Sequence, residues 1–212
     1  MDQQEADSPV VIPDIVVGRL PLYLRALLTM AQAGRQVTSS QELGDHLGLT
    51  AAQIRKDLSQ FGEFGKQGTG YHIEFLTASI RKILHVDHDW IVALVGAGDL
   101  GGALARYQGF ADRGFRLKTV FDSDPARIGS QIGKITVLDS ARIEEIIRQE
   151  QIQIAMIAVP ASEAQGVAER LVKAGIKAIL NYAPVRLAVT PGIQVQNIDP
   201  TLFLQRMTYY LP

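Results

Sequence analysis

Trp90-Ile91-Val92-Ala93-Leu94-Val95, Gly96-Ala97-Gly98-Asp99-Leu100-Gly101 and Gly102-Ala103-Leu104-Ala105-Arg106-Tyr107 follow one another without a gap. In turn they read as a short buried strand, a glycine turn and the start of a helix. A G-x-G-x-x-G turn between a strand and a helix is the context of a dinucleotide site. The first glycine allows the tight turn, the second lets backbone approach a pyrophosphate, and the third packs helix on strand. Free N–H groups and the positive end of the helix dipole then favour an anion. The candidate pyrophosphate residues are therefore Gly96, Ala97, Gly98, Asp99, Leu100 and Gly101.

Working downstream, Leu117-Lys118-Thr119-Val120-Phe121 is a second strand, closed by Asp122, which lies 21 residues beyond Gly101. That is the place for a carboxylate that bonds the adenosine ribose hydroxyls. Such a carboxylate repels a 2′-phosphate and favours NAD(H) over NADP(H), although Arg127 stands close by in sequence. Two later strands, Ala155–Val159 before Pro160 and Ile179–Tyr182 before Ala183-Pro184, end where α/β folds place ligands. Val159, Pro160, Asn181, Ala183 and Pro184 are candidates for the nicotinamide end. Simple strand termination by the two prolines explains each end equally well.

Upstream, 95 residues precede Gly96, more than a simple dinucleotide domain requires. Residues 1–18 carry Asp2, Glu5, Asp7 and Asp14 with no Lys or Arg, and read as a disordered acidic arm. Residues 19–85 carry eight basic and five acidic residues, and the remainder thirteen of each. A mildly basic module thus precedes a neutral one within a net charge of −1. The 212-residue length, 47% hydrophobic and 20% charged content suit a soluble globular protein of one or two domains. No apolar run reaches the ~20 residues of a membrane span, and the acidic N-terminus is no signal peptide, so the expected location is the cytoplasm. With no cysteine, disulfides, thiolate zinc sites and thiol switches are excluded.

The basic module reads as helices. Arg19–Ala33 carries Leu20, Leu24, Leu27, Leu28 and Ala31 at helical spacing, with Pro21 in the first turn and Gly34 at the end. Ser39-x-x-Glu42 is a capping box opening a short helix that Gly48 ends. Thr50-x-x-Gln53 is a second, opening a helix through Phe61. Two short helices around a tight glycine turn make a helix-turn-helix candidate. In the second helix Ile54, Leu58 and Phe61 form the buried stripe. Its other face carries Ala52, Gln53, Lys56, Ser59 and Gln60, with Arg55 on the flank, residue types that meet phosphates and base edges. An amphipathic helix with a merely solvated face reads the same way.

The segment Phe61-Gly62-Glu63-Phe64-Gly65-Lys66-Gln67-Gly68-Thr69-Gly70-Tyr71 favours the DNA-binding reading. It is a glycine-permitted hairpin, the wing of a winged helix, with Lys66 at its tip near a phosphate. Phe75, Leu76, Ile80, Ile83 and Leu84 form a last helix, and Asp87-His88-Asp89 reads as a solvated linker rather than a metal-ligand set. The candidate DNA contacts are Ser39, Ser40, Gln53, Arg55, Lys56, Ser59, Gln60, Lys66 and Gly68. At the other end, Asp199–Leu211 is a terminal helix with Leu202, Phe203, Met207, Tyr210 and Leu211 as apolar surface. It packs on its own domain or against a second copy.

The run Arg55-Lys56-Asp57-Leu58-Ser59, followed by Phe61-Gly62-x-Phe64-Gly65-Lys66-x-Gly68-x-Gly70-Tyr71, resembles the Rex family of NADH-sensing transcriptional repressors. The resemblance continues through Arg19-Leu20-Pro21-Leu22-Tyr23, the Gly96–Gly101 turn, Asp122, Val159-Pro160, Gly175-Ile176-Lys177 and Asn181-Tyr182-Ala183-Pro184. It implies a homodimer whose C-terminal helix swaps onto the partner and whose winged helices read an inverted-repeat operator in double-stranded DNA. It further implies that NADH, in competition with NAD+, releases the DNA. A coupling network joining the first helix, the nicotinamide end and the partner's last helix falls on Arg25, Tyr107 and Asp199, with Tyr107 also at the cofactor. The chain departs from the family at Gln60, where an aromatic residue is common, and at Pro200, where some members carry a bulky apolar residue that Leu202 or Phe203 can replace.

The expected organisation is an α/β chain: an acidic arm (1–18), a winged-helix DNA-binding domain (19–86), a Rossmann-type doubly wound parallel sheet binding NAD(H) (87–198) and a C-terminal swapped dimerisation helix (199–212). The expected function is a non-enzymatic redox-sensing repressor with no membrane association and no metal. The alternatives are a small NAD-dependent oxidoreductase with a helical cap and a CoA- or nucleotide-binding subunit of a ligase. Against catalysis, His46, His72, His85 and His88 all precede the Rossmann strand, and little chain remains for a substrate domain.

Overall fold

A computed structural model describes residues 12–66 and 68–211. The chain divides into two compact units, residues 1–87 and 88–212.

The first unit is helical with a small sheet. Most of the expected acidic arm lies outside the described residues. Its last part is ordered into helix, because Pro13 caps a single turn, α1 (Asp14–Val17), that buries Val16. Next come α2 (Leu20–Gln32), β1 (Val37–Thr38), α3 (Ser40–Leu47), α4 (Ala51–Ser59), β2 (Gly65–Lys66), β3 (Gly70–His72) and α5 (Ile73–Ile83). The three strands form an antiparallel sheet in the order β1-β3-β2. Leu20, Tyr23, Leu27, Leu43, Ile54, Leu58, Leu76 and Ile80 make one core. Phe75 stays outside it and is exposed, since Ile73, Leu76 and Ile80 occupy the buried stripe of α5.

The Ser39 capping box forms in full: Ser39 Oγ accepts from Glu42 N at 3.1 Å, and Glu42 Oε2 accepts from Ser39 N at 2.9 Å. Thr50 Oγ1 caps α4 by accepting from Gln53 N at 3.1 Å. The reciprocal half of that second box is absent because the Gln53 amide bonds Asp57 instead. Helix α4 ends at Ser59, two residues short of Phe61, which packs on the core from outside the helix.

The second unit has a seven-stranded sheet in the order β10-β9-β8-β4-β5-β7-β6. Its strands are β4 (Trp90–Val95), β5 (Phe115–Asp122), β6 (Gln131–Ile132), β7 (Ile135–Asp139), β8 (Ile154–Ile157), β9 (Ala178–Asn181) and β10 (Gln194–Asn197). All neighbours are parallel except β6 with β7. Counting from β4, the six parallel strands run 3-2-1-4-5-6, the Rossmann order. Helices α6 (Asp99–Arg106), α7 (Ile143–Gln149) and α8 (Ala161–Ala174) accompany it. Because both faces are covered, β4 is apolar throughout rather than alternating. Val92 and Leu94 join the core that holds Leu104 and Phe110, while Ala93 and Val95 join the one that holds Ile143, Ile147 and Leu171. The chain closes with α9 (Pro200–Thr208).

Candidate functional site

The cleft lies where the strand order reverses, between the carboxyl ends of β4 and β8, where open α/β sheets bind ligands. It encloses about 370 Å³ and is lined by Gly96, Gly98, Asp122, Arg127, Val159 and Pro160 among others. The three glycines of the turn do different work. Gly96 has φ +102°, and a Cβ there would sit 2.4 Å from the carbonyl oxygen of Ala158. A Cβ on Gly101 would sit 1.8 Å from the Gly96 oxygen, so helix and turn touch at that point. A Cβ on Gly98 would meet nothing within 4 Å. Gly98 is also the N-cap of α6 and offers that helix no side-chain acceptor. Open space thus faces the start of a helix whose first N–H groups need an acceptor, which fits a phosphate group. Ala97, Asp99, Leu100 and Gly101 do not line the cleft; Asp99 and Leu100 are exposed in the first helical turn.

Asp122 is only 6% exposed. Its Oδ2 accepts from the Ala97 N–H at 2.6 Å and its Oδ1 from the Asp124 N–H at 2.8 Å. The carboxylate therefore ties the glycine turn to the end of β5, and its remaining lone pairs stay available to a ribose. Arg127 Nη1 lies 3.5 Å from Asp122 and 3.6 Å from Asp124, so its charge is shared between two carboxylates. Ser123, Asp124, Ser140 and Glu163 also line the cleft. Ser123 and Asp124 could have been found from their place directly after the Asp122 strand; Ser140 and Glu163 come from distant segments and carry no local signal.

The nicotinamide-end candidates separate. Val159 and Pro160 line the cleft. Asn181 and Ala183 do not, and are buried. Asn181 Nδ2 donates to the carbonyls of Ala183 and Val185 and to Asn197 Oδ1, and its Oδ1 accepts from Ala183 N. Asn181 thus pins the 181–185 turn to β10, and a fully bonded amide has little left for a ligand. Pro184 is exposed on that turn. Tyr107, exposed at the end of α6, stacks edge-on against Phe110 at 5.0 Å.

In the first unit α3 and α4 meet through a turn with Gly48 at φ +69°. A Cβ on buried Gly44 would lie 2.4 Å from the Leu49 oxygen, so only glycine permits that turn. At the wing, a Cβ on Gly65 would lie 2.6 Å from the Gly70 oxygen, and one on Gly70 2.4 Å from the Thr38 oxygen. A concavity of about 640 Å³ follows, lined by Ser39, Ser40, Arg55, Gly68 and Tyr71 among others. Arg55 Nη1 donates to Ser40 Oγ at 2.9 Å. Burial pushes the Tyr71 phenol above its ordinary value against the pull of Arg55. Lys56 and Ser59 are exposed on α4, and Gln60 is half-buried as its C-cap. Lys66 lies in β2, paired with Gly70.

Beneath this surface lies a group that the helical pattern passes over. Asp57 is fully buried on the Ile54–Leu58 stripe of α4. It accepts from Arg19 Nε at 2.5 Å, Arg19 Nη2 at 2.8 Å, Tyr23 OH at 2.5 Å and Gln53 Nε2 at 2.7 Å. Burial opposes its ionisation, but bonds from Arg19, Tyr23 and Gln53 outweigh that and hold the carboxyl below its ordinary value. Burial and the same bond push the Tyr23 phenol far up. The signal was an acid three residues after Ile54, inside an apolar stripe. Gln53, expected on the solvent face, is half-buried there, with its Nε2 donating to this carboxylate.

Of the coupling candidates, Arg25 is exposed on α2 in the first unit. In the second, Asp199 is half-buried and caps α9, its Oδ1 accepting from Thr201 N at 2.9 Å. Helix α9 and the residues after it expose apolar surface among the described residues: Leu202, Phe203, Leu204, Met207, Tyr209 and Tyr210 are 60–83% exposed.

Comparison with known proteins follows the two units. Residues 11–59 match the family described as “Putative DNA-binding protein N-terminus”, and residues 87–185 match the “CoA binding domain” family. The redox-sensing transcriptional repressor Rex of Chloroflexus aurantiacus is 55% identical over 208 residues, 98% of this chain and 97% of its own. Rex 1 of Thermotoga maritima is 46% identical over 93% of this chain and 95% of its own. Among solved structures, RSP in complex with β-NAD+ and operator DNA is similar with a TM-score of 0.91 at 39% identity, covering 95% of this chain and 93% of that one. RSP in complex with β-NADH is similar with a TM-score of 0.86 at 37% identity, covering 96% and 95%.

Proposed function

The chain belongs to the Rex family of redox-sensing transcriptional repressors, and from that premise we propose how its residues perform that function. It is a regulator and not an enzyme: it binds operator DNA through its first unit and NADH or NAD+ through its second, and NADH releases the DNA. The observation that carries this reading is one chain with both a helix-turn-helix and wing, and a Rossmann cleft whose Gly98 opens onto empty space at the start of α6.

We assign residues 19–86 to DNA and 87–198 to the dinucleotide. The backbone of Gly96–Gly101 takes the pyrophosphate, Gly98 by leaving room and α6 by its N–H groups. Asp122 takes the adenosine ribose and repels a 2′-phosphate. Val159 and Pro160 border the nicotinamide, with Tyr107 beside it; Asn181, Ala183 and Pro184 support that end through the turn that Asn181 holds. The nicotinamide supplies its redox state alone. Ser39, Ser40, Arg55, Lys56, Ser59, Lys66 and Gly68 meet phosphates and base edges.

A second copy covers α9, because two-fold half-sites need a two-fold protein and the exposed apolar helix needs a partner. Among the described residues no helix is long and apolar enough to cross a membrane. A repressor of this kind works in the cytoplasm. The switch is linkage: NADH favours the arrangement that does not bind DNA, by the 1–3 kcal/mol usual for such coupling. Arg25, Tyr107 and Asp199 carry it.

The test is fluorescence anisotropy of a labelled duplex from the gene's own upstream region, with NADH and NAD+ titrated separately. Tight binding released by NADH but not by NAD+ is expected. DNA binding indifferent to both dinucleotides overturns the reading.

A further inference from the structure

Gln53 occupies the first turn of α4, the second helix of the helix-turn-helix, where residues reach base edges in the major groove. The chemistry of its partner decides which way its amide faces. An ionised carboxylate only accepts hydrogen bonds. Asp57 is kept ionised by Arg19, which binds both of its oxygens, and Tyr23 fills a further site. Gln53 can therefore approach Asp57 only with its NH2 group, at 2.7 Å. Its Oε1 is left as an acceptor, with no hydrogen bond from any described residue.

Resting on the operator-binding function proposed above, we infer that Gln53 is a base-reading residue whose choice is set by Asp57, and that it selects a base carrying an exocyclic amine. In the major groove, adenine N6 and cytosine N4 donate to Oε1, whereas guanine O6 and thymine O4 are acceptors that leave Oε1 unpaired and can meet only the remaining N–H. Adenine is favoured of the two, because its N7 can accept the second Gln53 N–H. Asp57 is a positioning residue. It touches no DNA, yet by taking one Gln53 N–H it fixes the amide's orientation and leaves Oε1 as the acceptor.

The experiment uses the full chain and a duplex selected from a random library, scanned by single base-pair substitutions in one half-site. One position should prefer adenine or cytosine over guanine and thymine by roughly tenfold or more, the range of a good side-chain–base pair. Gln53→Ala should flatten that position and leave intact the positions that Arg55→Ala affects. Asp57→Asn can donate to Oε1 as well as accept, so the amide is free to turn. The same position should then lose its preference, while the salt dependence of binding, which counts phosphate contacts, keeps its slope. A merely structural Asp57 would weaken all positions alike.

If Asp57→Asn does not fold, as circular dichroism will tell, Gln53→Ala decides the matter. A Gln53-dependent position that prefers guanine or thymine overturns the inference, as does a Gln53→Ala profile unchanged at every position. A wild-type protein with no preferred duplex overturns the operator-binding function itself, and this assignment with it.

Discussion

A methyl group placed on Gly98 separates the fold from the sensor. The Gly98 Cβ would meet nothing within 4 Å, and its φ of −65° is open to any residue. Gly98→Ala therefore costs the fold nothing sterically, and shrinking the unfolded ensemble can add about 0.4–1 kcal/mol. That methyl occupies the space through which a pyrophosphate approaches the first N–H groups of α6. Losing one charge-assisted hydrogen bond costs roughly 1.5–3 kcal/mol, or about ten- to hundredfold in NADH affinity.

Thermal unfolding with and without NADH reads both effects. At a hundred times its Kd a ligand adds about 2.7 kcal/mol, and each kcal/mol moves Tm by roughly 2–4 °C for a chain of this size. Wild type should rise about 5–10 °C with NADH. Gly98→Ala should match or exceed the wild-type Tm without ligand and lose most of the rise. Its operator complex should form normally and resist NADH. Gly101→Ala is the contrast, because its Cβ would lie 1.8 Å from a carbonyl oxygen, and the second unit should be destabilised outright. A Gly98→Ala protein that keeps wild-type NADH affinity would refute the reasoning, since the open space would then not be where phosphate binds.

Gly44→Ala drives a Cβ to 2.4 Å from the Leu49 oxygen, so operator binding should fall with the stability of the first unit while NADH binding in the second persists; calorimetry with NADH checks this. The Asp57 carboxyl is held low in the folded state, so its stabilisation is present above its unfolded value of about 4 and is lost as pH falls through the folded value. The Tyr23 phenol is held high, so its contribution is present below its unfolded value of about 10 and fades as pH rises beyond that. Tyr23→Phe should flatten the alkaline decline only, measured as chemical denaturation against pH. Removing residues 199–212 should give a monomer by light scattering, with operator affinity reduced and NADH binding retained, because the exposed apolar helix goes with them.

Much of this molecule is local and therefore legible along the chain. The glycine turn, the Asp122 strand end, the Ser39 capping box and the buried stripe of α4 are set by neighbours within about a turn or a strand, where period and capping chemistry operate. The wing was legible for the same reason: glycines at Gly65 and Gly70 are needed wherever two backbones nearly touch.

What local pattern could not reveal were partners far away in sequence. Asp57 is matched by Arg19, 38 residues distant, and only that meeting turns a charge on an apolar stripe into an anchor that redirects Gln53. Asn181 looked like a ligand residue at a strand end until β10 and the turn after β9 took all its hydrogen bonds. The motif gives Gly96, Gly98 and Gly101 separate roles, but what stands opposite each missing Cβ is set by the fold: a carbonyl, open space and another carbonyl. Sequence alone determined the helix-turn-helix, the wing and the Rossmann strand, turn and helix, and which chemistries are available. Tertiary structure decided which polar groups are already satisfied and which remain for a ligand, because a hydrogen bond is a property of two atoms brought together and not of either residue alone.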